Sequence, residues 1–384
     1  MTKQMEKTNK YLAMQQSINV IIAGGGTGGH VFPAIAIGKA LKNKPYNANI
    51  LFVGARGKLE MEKVPKAGFK IEGLSISGIQ RRLTWKNLLV PFRLVGSMIK
   101  ARKIIRRFKP DVVIGVGGYA SGPIVRAAAS KGIPTLIQEQ NSYPGLTNRI
   151  LAKKAMKICV AYEGMEAYFD KSKLYVTGNP IRQDLVNPEA KREEALAFFG
   201  LSSDKPVVLI TGGSLGARTI NEATARHLQQ VHQAGIQLIW QTGSHGIDMA
   251  RTHLGKEQVE GVYVHAFIDR MDYAYAAADM VVSRAGAIAV SEICAVRKPA
   301  VFIPSPNVAE DHQTKNAMTL VNNHAAVIIK DGEAIEKLGP VIIDLMYNEE
   351  EKQKLKERIA SLAYRNAADV IAEAAVGLVK GNKK

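Results

Sequence analysis

Two consecutive series of short apolar runs constrain the fold of this chain more than any other feature of its sequence. Seven β-rich runs recur between Ile18 and Thr177, and six more between Val207 and Lys330, with helix-length stretches between them. Strands that are covered by helices on both faces read as continuous apolar runs, which is the pattern of parallel βαβ units. A polar, proline-containing segment after Gly178 separates the two series and is typical of a domain connection. The sequence therefore predicts an α/β protein with two doubly wound, Rossmann-like domains.

We predict domain boundaries from these series. A polar N-terminal tail is expected over residues 1–17, a first domain over 18–182 and a second over 183–365. Forty-six per cent of the residues are hydrophobic, enough to bury two cores, so intrinsically disordered and collagen-like classes are excluded.

The charge of the chain predicts an anionic partner. Its 52 basic and 34 acidic residues give a net charge of +18, which suits a nucleic acid, a membrane surface or a phosphorylated substrate. The two cysteines, Cys159 and Cys294, lie far apart and exclude a disulfide framework and a cysteine-rich zinc site. No apolar run approaches the roughly 18 residues of a membrane-spanning helix, so we expect a soluble or peripherally attached protein.

A glycine-rich turn follows the first predicted strand. Residues 24–29 read GGGTGG and precede a helix in which Pro33 is expected in the first turn, where no backbone N–H is needed. Backbone N–H groups at such a turn suit a diphosphate. The alternative is an NAD site, which needs an acidic residue about 20 residues further on, at the end of the second strand. The first acidic residue after that strand is Glu60, so the sequence argues against an NAD site.

Two more glycine turns, at residues 115–123 and 212–218, follow later strands. Taken singly, each turn is explained by strand–helix geometry. Open sheets bind ligands at the carboxyl ends of their strands, so two domains facing each other would form a cleft with glycine turns on both walls.

A strongly basic stretch lies between Gly78 and Pro110, with ten basic residues and no acidic one. Apolar residues are interleaved with the basic ones, among them Ile79, Leu83, Trp85, Leu88 and Phe92. This pattern predicts contact with an anionic membrane surface, to which each cation contributes about 1 kcal/mol. An alternative is that the apolar residues belong to the core and the cations solvate a helix face. A nucleic-acid-binding protein is the alternative from another class, but the chain has no recognisable nucleic-acid-binding motif, and no nucleic acid partner is predicted.

Eight motifs occur in order from Ile18 to the last helix: GGGTGGHVFPA, GVGGYASGP, EQNSYPGLTN, VTGNPIR, TGGSLGAR, FIDRM, SRAGAIAVSEI and EDHQTKNA. Together they resemble the bacterial peptidoglycan glycosyltransferases that add N-acetylglucosamine to lipid I. The resemblance implies a GT-B fold and inverting transfer from UDP-N-acetylglucosamine to the 4-hydroxyl of the N-acetylmuramoyl group of lipid I, giving lipid II. It also implies peripheral attachment to the cytoplasmic face of the bacterial inner membrane, and a last helix, 366–384, that completes the first domain. Another GT-B enzyme, such as a UDP-sugar 2-epimerase, is the enzymatic alternative.

The same resemblance implies roles for individual positions. Ile268 would read the uracil edge through its backbone, and Glu292 would accept hydrogen bonds from the ribose hydroxyls. The residues implied to contact the donor are Thr27, Gly28, Gly29, Asn141, Arg182, Ser214, Ile268, Ala287, Ile288, Glu292 and Gln313. The acceptor diphosphate is assigned to Gly117, Gly118 and Tyr119.

Glycosyl transfer also needs a base for the acceptor hydroxyl. His30 directly follows the first glycine turn, and a neutral imidazole is available near neutral pH, so His30 is our candidate, with Glu139 as the second choice. The sequence contains no DxD motif, and we predict neither a metal site nor a cofactor. The charge of the departing diphosphate is then expected to be stabilised by backbone N–H groups, a helix dipole and Arg182.

Overall fold

The computed structural model describes residues 17–43, 45–46, 48–76, 90–182, 185, 189–213, 215–255 and 259–381. The chain divides into two compact units, one made of residues up to Ile181 together with those from Asn366 onward, and one of Arg182–Arg365. The predicted boundary lies one residue beyond the observed one. The N-terminal tail lies outside the described residues, apart from its last residue.

The first unit contains a fully parallel sheet with the strand order β3-β2-β1-β4-β5-β6-β7. Its strands are β1 (Asn19–Ala23), β2 (Asn49–Ala55), β3 (Lys70–Leu74), β4 (Val112–Gly115), β5 (Thr135–Glu139), β6 (Lys157–Val160) and β7 (Leu174–Val176). In the register of the central strands, Val20 lies opposite Ile50 on one side and Val112 on the other. The central strands are buried because helices cover both faces, which is why the sequence shows continuous apolar runs.

The helices of this unit are α1 (Gly28–Lys42), α2 (Glu60–Lys66), α3 (Val90–Phe108), α4 (Ser121–Ala129), α5 (Leu146–Ala152) and α14 (Ala367–Gly381). Helices α1 and α14 pack together on one face of the sheet. Helices α3, α4 and α5 cover the other face. The C-terminal helix is thus part of the first unit.

The second unit contains six parallel strands in the order β10-β9-β8-β11-β12-β13. They are β8 (Val207–Thr211), β9 (Gln237–Gln241), β10 (Val262–His265), β11 (Met280–Ser283), β12 (Ala300–Phe302) and β13 (Val327–Ile328). Its helices are α6 (Arg192–Phe199), α7 (Arg218–Gln233), α8 (Ile247–Leu254), α9 (Met271–Ala277), α10 (Ala287–Val296), α11 (His312–Val321), α12 (Ala334–Tyr347) and α13 (Glu349–Ser361).

The strand order reverses once in each sheet, between β1 and β4 in the first and between β8 and β11 in the second. Ligands of doubly wound sheets bind at the carboxyl ends of the strands at this point. All three predicted glycine turns follow strands that border it, namely β1, β4 and β8. The predicted strands and the two doubly wound sheets are therefore confirmed in the described part of the chain. Within that part, no helix is both long enough and apolar enough to span a bilayer.

Candidate functional site

The glycine turn after β1 leads directly into α1. Thr27 has extended backbone angles (φ −139°, ψ 161°), and its carbonyl accepts from the backbone N–H groups of His30 and Val31, both at 3.1 Å. The helix therefore begins at Gly28, and Pro33 lies in its second turn. The prediction that Pro33 lies in the first turn is wrong, because the helix begins further ahead of the proline than predicted.

A buried carboxylate occupies part of this turn. Glu60 accepts from the backbone N–H of Gly26 and from that of Ala55, both at 2.8 Å. A Cβ at Gly25 would lie 2.1 Å from Glu60 Oε1, so the carboxylate needs a glycine there. The Gly26 N–H is thus not available to a diphosphate, which removes one of the N–H groups of this turn that were expected to suit such a ligand. Sequence analysis noted Glu60 only as an acid that did not fit an NAD site.

The turns after β1 and β4 pack against each other through their glycines. Gly118 has a φ of +80°, and a Cβ there would lie 2.2 Å from the carbonyl oxygen of Gly25. Gly117 has a φ of +94°, and a Cβ there would lie 2.6 Å from His30 Cδ2 and 2.8 Å from His30 Nε2. Both the backbone conformation and the close approach require glycine. The structure therefore brings the predicted donor turn, the candidate base and the predicted acceptor turn together, with Tyr119 exposed beside them.

His30 is half-buried, and one ring nitrogen has a defined neighbour. Its Nδ1 lies 3.2 Å from the hydroxyl oxygen of Thr27, and the Cδ2–Nε2 edge faces Gly117. When Nδ1 carries the proton and donates to Thr27, Nε2 keeps a lone pair on the side of the β4 turn. This arrangement allows His30 to accept a proton at Nε2.

Glu139, the second candidate base, is buried and accepts four hydrogen bonds. One oxygen accepts from the backbone N–H and the side-chain amide of Asn141, at 3.0 and 3.2 Å. The other accepts from the Gly145 N–H at 3.0 Å and from Asn148 Nδ2 at 2.9 Å. These bonds occupy both carboxylate oxygens. Glu139 therefore shapes the loop that carries Asn141, and its role as the second candidate base stays a prediction.

A buried glutamine links this loop to the β4 turn. Gln140 Nε2 donates to the carbonyl of Val116 at 2.8 Å, and its own backbone carbonyl accepts from Asn179 Nδ2 at 3.0 Å. Gln138 Nε2 in turn donates to Asn179 Oδ1 at 3.0 Å. Sequence analysis did not predict a role for these three side-chain amides. The one sequence feature that could have indicated them is the presence of polar residues within or shortly after apolar strands.

In the second unit, Arg182 and Glu292 lie next to each other. Arg182 Nε is 3.5 Å from Glu292 Oε1, and the buried Tyr275 hydroxyl donates to Glu292 Oε2 at 3.3 Å. Burial and the neighbouring carboxylate raise the pKa of Tyr275, so this hydroxyl remains a hydrogen-bond donor. The arrangement fixes the Glu292 carboxylate on α10, the helix that begins at Ala287 and Ile288.

Two other residues that are predicted to contact UDP-N-acetylglucosamine already have hydrogen-bond partners within the protein. The Ile268 N–H donates to Gln241 Oε1 at 3.0 Å. This bond would have to break before the same N–H could donate to a uracil. Gln313 Oε1 accepts from the Ser305 N–H at 2.9 Å, which leaves its NH₂ group as the part that could donate to a sugar. Ser214 lies outside the described residues.

The turn after β8 lies against the turn after β9. A Cβ at Gly243 would lie 2.0 Å from the Gly216 nitrogen, and Asn221 Nδ2 donates to the Thr242 carbonyl at 2.8 Å. Asn221 also accepts from the buried Trp240 indole at 3.1 Å. A groove of about 440 Å³ runs beside these turns, lined by residues 215–218, Asn221, Glu222, 245–246 and Met249.

The turn after β11 is held by an ion pair that sequence analysis missed. Arg284 pairs with Asp331 and donates to the carbonyls of Ile303 at 2.9 Å and Pro304 at 3.1 Å. Asp331 also accepts from the Thr219 hydroxyl at 2.9 Å. These bonds connect the loops that follow β11 and β12 to the start of α7.

Neither cysteine is suited to nucleophilic chemistry. Cys159 and Cys294 are buried, and burial raises the pKa of each thiol to about 12. Across the described ranges, no group of three or more His, Cys, Asp or Glu side chains is placed to hold a metal ion.

Comparison with known proteins assigns the family. Residues 20–160 match the glycosyltransferase family 28 N-terminal domain, and residues 207–373 match the family 28 C-terminal domain. The chain is 53% identical to the UDP-N-acetylglucosamine–N-acetylmuramyl-(pentapeptide) pyrophosphoryl-undecaprenol N-acetylglucosamine transferase of Parabacteroides distasonis, over 94% of this chain and 98% of that protein. It is 50% identical to the Bacteroides fragilis protein of the same name, over 98% of this chain and 100% of that one.

Solved structures agree with this assignment. The crystal structure of Acinetobacter baumannii MurG is 28% identical, with a TM-score of 0.75 over 94% of this chain and 99% of that chain. A UDP-GlcNAc 2-epimerase from Neisseria meningitidis is 15% identical, with a TM-score of 0.65 over 94% of this chain and 100% of that chain, and shares the fold alone. The epimerase alternative is therefore not favoured. The chain belongs to glycosyltransferase family 28, within the family of UDP-N-acetylglucosamine–N-acetylmuramyl-(pentapeptide) pyrophosphoryl-undecaprenol N-acetylglucosamine transferases.

Proposed function

We propose that this chain transfers N-acetylglucosamine from UDP-N-acetylglucosamine to the 4-hydroxyl of the N-acetylmuramoyl group of lipid I, giving lipid II. The observation that carries the proposal is the match, at about half identity and over nearly the whole length, to relatives that are named for this transfer. The described site residues support it, because four of the eight family motifs lie at the carboxyl ends of β1, β4, β8 and β11, where each sheet reverses its order.

In this proposal His30 is the general base. Its Nδ1–H donates to Thr27 Oγ1, and its Nε2 accepts the proton of the acceptor hydroxyl as that oxygen attacks the anomeric carbon. The bond between the anomeric carbon and the UDP oxygen breaks on the opposite face, so the configuration inverts. The turn at Gly117 and Gly118, directly beside Nε2, binds the acceptor diphosphate through its backbone.

The second unit supplies further contacts to UDP-N-acetylglucosamine, beside those of Thr27, Gly28, Gly29 and Asn141 in the first unit. Glu292, held by Tyr275 and Arg182, accepts from the ribose hydroxyls, since a carboxylate has paired acceptors for a diol. Arg182 opposes the charge that develops on the departing UDP, an effect worth a few kcal/mol for a preorganised donor. The Gln313 NH₂ group donates to the sugar.

Release of UDP, measured with and without a lipid I analogue, tests the reaction. A transferase releases UDP only when the acceptor is present, whereas an epimerase acts on the donor alone. The His30→Ala variant should lose at least about 100-fold in turnover, the scale of lost general-base catalysis, and should still bind UDP-N-acetylglucosamine in calorimetry. Near-normal turnover of this variant would remove His30 from the role of base.

We also propose that the first unit attaches the enzyme to the anionic cytoplasmic face of the bacterial cell membrane. Of the apolar residues predicted to contact the membrane, Ile79, Leu83, Trp85 and Leu88 lie outside the described residues. Phe92 is 76% exposed at the start of α3, which agrees with a surface role and contradicts a core role for this side chain.

Flotation with anionic liposomes tests the attachment. We expect Phe92→Asp and Trp85→Asp to reduce uptake, because a charge replaces an apolar group that enters the interface. Phe198→Asp, at another exposed aromatic residue in the second unit, is the control and should bind as the wild type does. Salt-sensitive binding to duplex DNA without binding to lipid would instead favour the nucleic-acid alternative.

A further inference from the structure

The side chain of Gln140, directly after β5, contains a buried oxygen that has no hydrogen-bond partner. Gln140 is only 2% exposed, and within the described part of the chain its Oε1 accepts no hydrogen bond. Buried polar groups are nearly always hydrogen-bonded, because an unpaired one has lost its water without replacement. The unpaired oxygen therefore calls for a donor that reaches it in some state of the enzyme.

The hydrogen bonds of the other amides fix which atom of Gln140 is unpaired. Gln140 Nε2 donates to the carbonyl of Val116 at 2.8 Å and to Gln138 Oε1, so an exchange of its oxygen and nitrogen would bring three acceptors together. Gln138 is oriented in turn by its bond to Asn179 Oδ1, and Asn179 by its bond to the backbone carbonyl of Gln140. A backbone carbonyl only accepts, so the orientation of all three amides follows from it. The unpaired atom is therefore the oxygen of Gln140.

This oxygen lies near the candidate base. A Cβ built at Gly117 would lie 2.8 Å from His30 Nε2 and 3.6 Å from Gln140 Oε1, so the missing Cβ leaves open a point that both atoms border. Because the oxygen is buried, a donor from the protein can reach it more directly than a bound sugar can. The imidazole of His30 is such a group.

His30 changes from acceptor to donor at Nε2 during the proposed reaction. While Nδ1–H donates to Thr27 Oγ1, Nε2 has a lone pair for the proton of the acceptor hydroxyl. Once it holds that proton, the imidazolium is a donor at both nitrogens. The former hydroxyl oxygen is then bonded to the anomeric carbon, and the new Nε2–H needs another acceptor. Hydrogen bonds from a charged donor are stronger than those between neutral groups.

We propose that Gln140 is a positioning residue whose Oε1 accepts a hydrogen bond from the Nε2–H of His30 after His30 has taken the proton of the acceptor hydroxyl. The O–H bond of the hydroxyl breaks and the proton forms the Nε2–H bond. The hydroxyl oxygen uses the released electron pair to bond to the anomeric carbon, and UDP leaves with the pair of the broken glycosyl bond. Gln140 holds the imidazolium and takes no proton itself. This inference rests on the role of His30 in the proposed function.

Gln140→Met removes the oxygen with little change in volume, and acceptor-dependent UDP release measures the effect. We expect kcat to fall at least about tenfold, the scale of a hydrogen bond to a charged group. The KM values for donor and acceptor should stay within about twofold, because the bond forms only after the proton has moved.

Gln237→Met is the matched control for the loss of a buried amide. Gln237 is 4% exposed and its side chain bonds to the backbone of Ser202 and Lys205. It lies at the start of β9, the end of the strand away from the turn. The control should lose stability in urea because its hydrogen bonds are removed, but it should keep the kcat of the wild type.

Gln140→Glu tests the oxygen itself. As a protonated acid this side chain donates to the Val116 carbonyl and keeps its second oxygen on the side of His30, and an ionised carboxylate keeps both oxygens. We expect its kcat to lie closer to the wild type than that of Gln140→Met. An equal loss in the two variants would show that the oxygen does not matter, and would overturn the proposal.

A nuclear magnetic resonance measurement on the wild type does not depend on the folding of a variant. With ¹⁵N-labelled histidine and a pH at which the imidazole is protonated, the Nε2–H of His30 should exchange slowly with water, because its acceptor is buried. The His30→Ala variant identifies the resonance by its absence. Rapid exchange of this proton would overturn the proposal even if Gln140→Met failed to fold.

A double-mutant cycle separates failure of this inference from failure of the proposed base. Gln140→Met should reduce turnover little further when it is added to His30→Ala, since residues that act together give non-additive effects. An undiminished loss in that background would mean that Gln140 acts on another group, and would overturn the proposal. If His30→Ala is impaired while Gln140→Met turns over as Gln237→Met does, only the role of Gln140 fails. If His30→Ala itself keeps near-normal turnover, the proposed base fails, and the role of Gln140 fails with it.

Discussion

Gly117→Ala tests whether the contact between the β4 turn and His30 matters for catalysis. The new Cβ would lie 2.6 Å from His30 Cδ2 and 2.8 Å from His30 Nε2, whereas carbon atoms in contact prefer about 3.5–4.0 Å. The imidazole must therefore move by about 1 Å. A displacement of that size at a reacting group can cost about 100-fold in rate. The backbone φ of +94° adds roughly 1–2 kcal/mol of strain for a residue with a Cβ.

Gly132→Ala separates the strain from the contact. Gly132 has a φ of +71°, and its Cβ position meets no described atom within 4 Å, so this variant should lose only about 1–2 kcal/mol of unfolding free energy and keep its turnover. Urea unfolding measures the first quantity and acceptor-dependent UDP release the second. We expect Gly117→Ala to lose more stability than the control and about 100-fold in turnover.

A double-mutant cycle shows whether the loss passes through His30. Residues in contact give non-additive effects, so Gly117→Ala should reduce turnover little further when it is added to His30→Ala. Full additivity of the two changes would refute the reasoning, because it would mean that the Cβ acts on something other than the imidazole. Equal turnover of Gly117→Ala and Gly132→Ala would refute it as well.

Three further substitutions test two described sets of hydrogen bonds and the burial of one lysine. Glu60→Gln should lower the unfolding free energy, measured in urea, by about 2 kcal/mol. An amide has one oxygen and cannot accept from both backbone N–H groups as the carboxylate does. Unchanged stability would contradict the two hydrogen bonds described for Glu60. Glu292→Gln should weaken UDP binding in calorimetry at least about tenfold, the loss expected for a charged acceptor, while Glu349→Gln on the exposed α13 should not. Burial lowers the pKa of Lys298 to about 8. Because the unfolded chain binds more protons between pH 8 and 10, the unfolding free energy should rise over this range. Lys298→Met should abolish that rise and be more stable at pH 7 by about 2 kcal/mol; an equal rise in both proteins would exclude Lys298 as its cause.

The fold was predictable because its signals are local. The runs that form β1 and β8 are apolar apart from one terminal residue each, Asn19 and Thr211, since helices cover both faces of each sheet. Each run is followed by glycines that a strand–helix turn requires. The position of Pro33 was not predictable to within one turn. The start of α1 depends on which backbone N–H groups the Thr27 carbonyl accepts, and several residues near Thr27 could have begun the helix.

The sequence by itself determined two parallel-sheet domains, the glycine turns at their strand ends and, through ordered motifs, the family. Only the tertiary structure decided what individual side chains do. Glu60 meets Gly26 from 34 positions away, Glu139 is occupied by a loop that folds back on it, and His30 lies against a glycine in the turn of another strand. The physical reason is that apolar periodicity and turn chemistry are properties of neighbouring residues, whereas the availability of a carboxylate or an imidazole depends on the partners that folding brings to it.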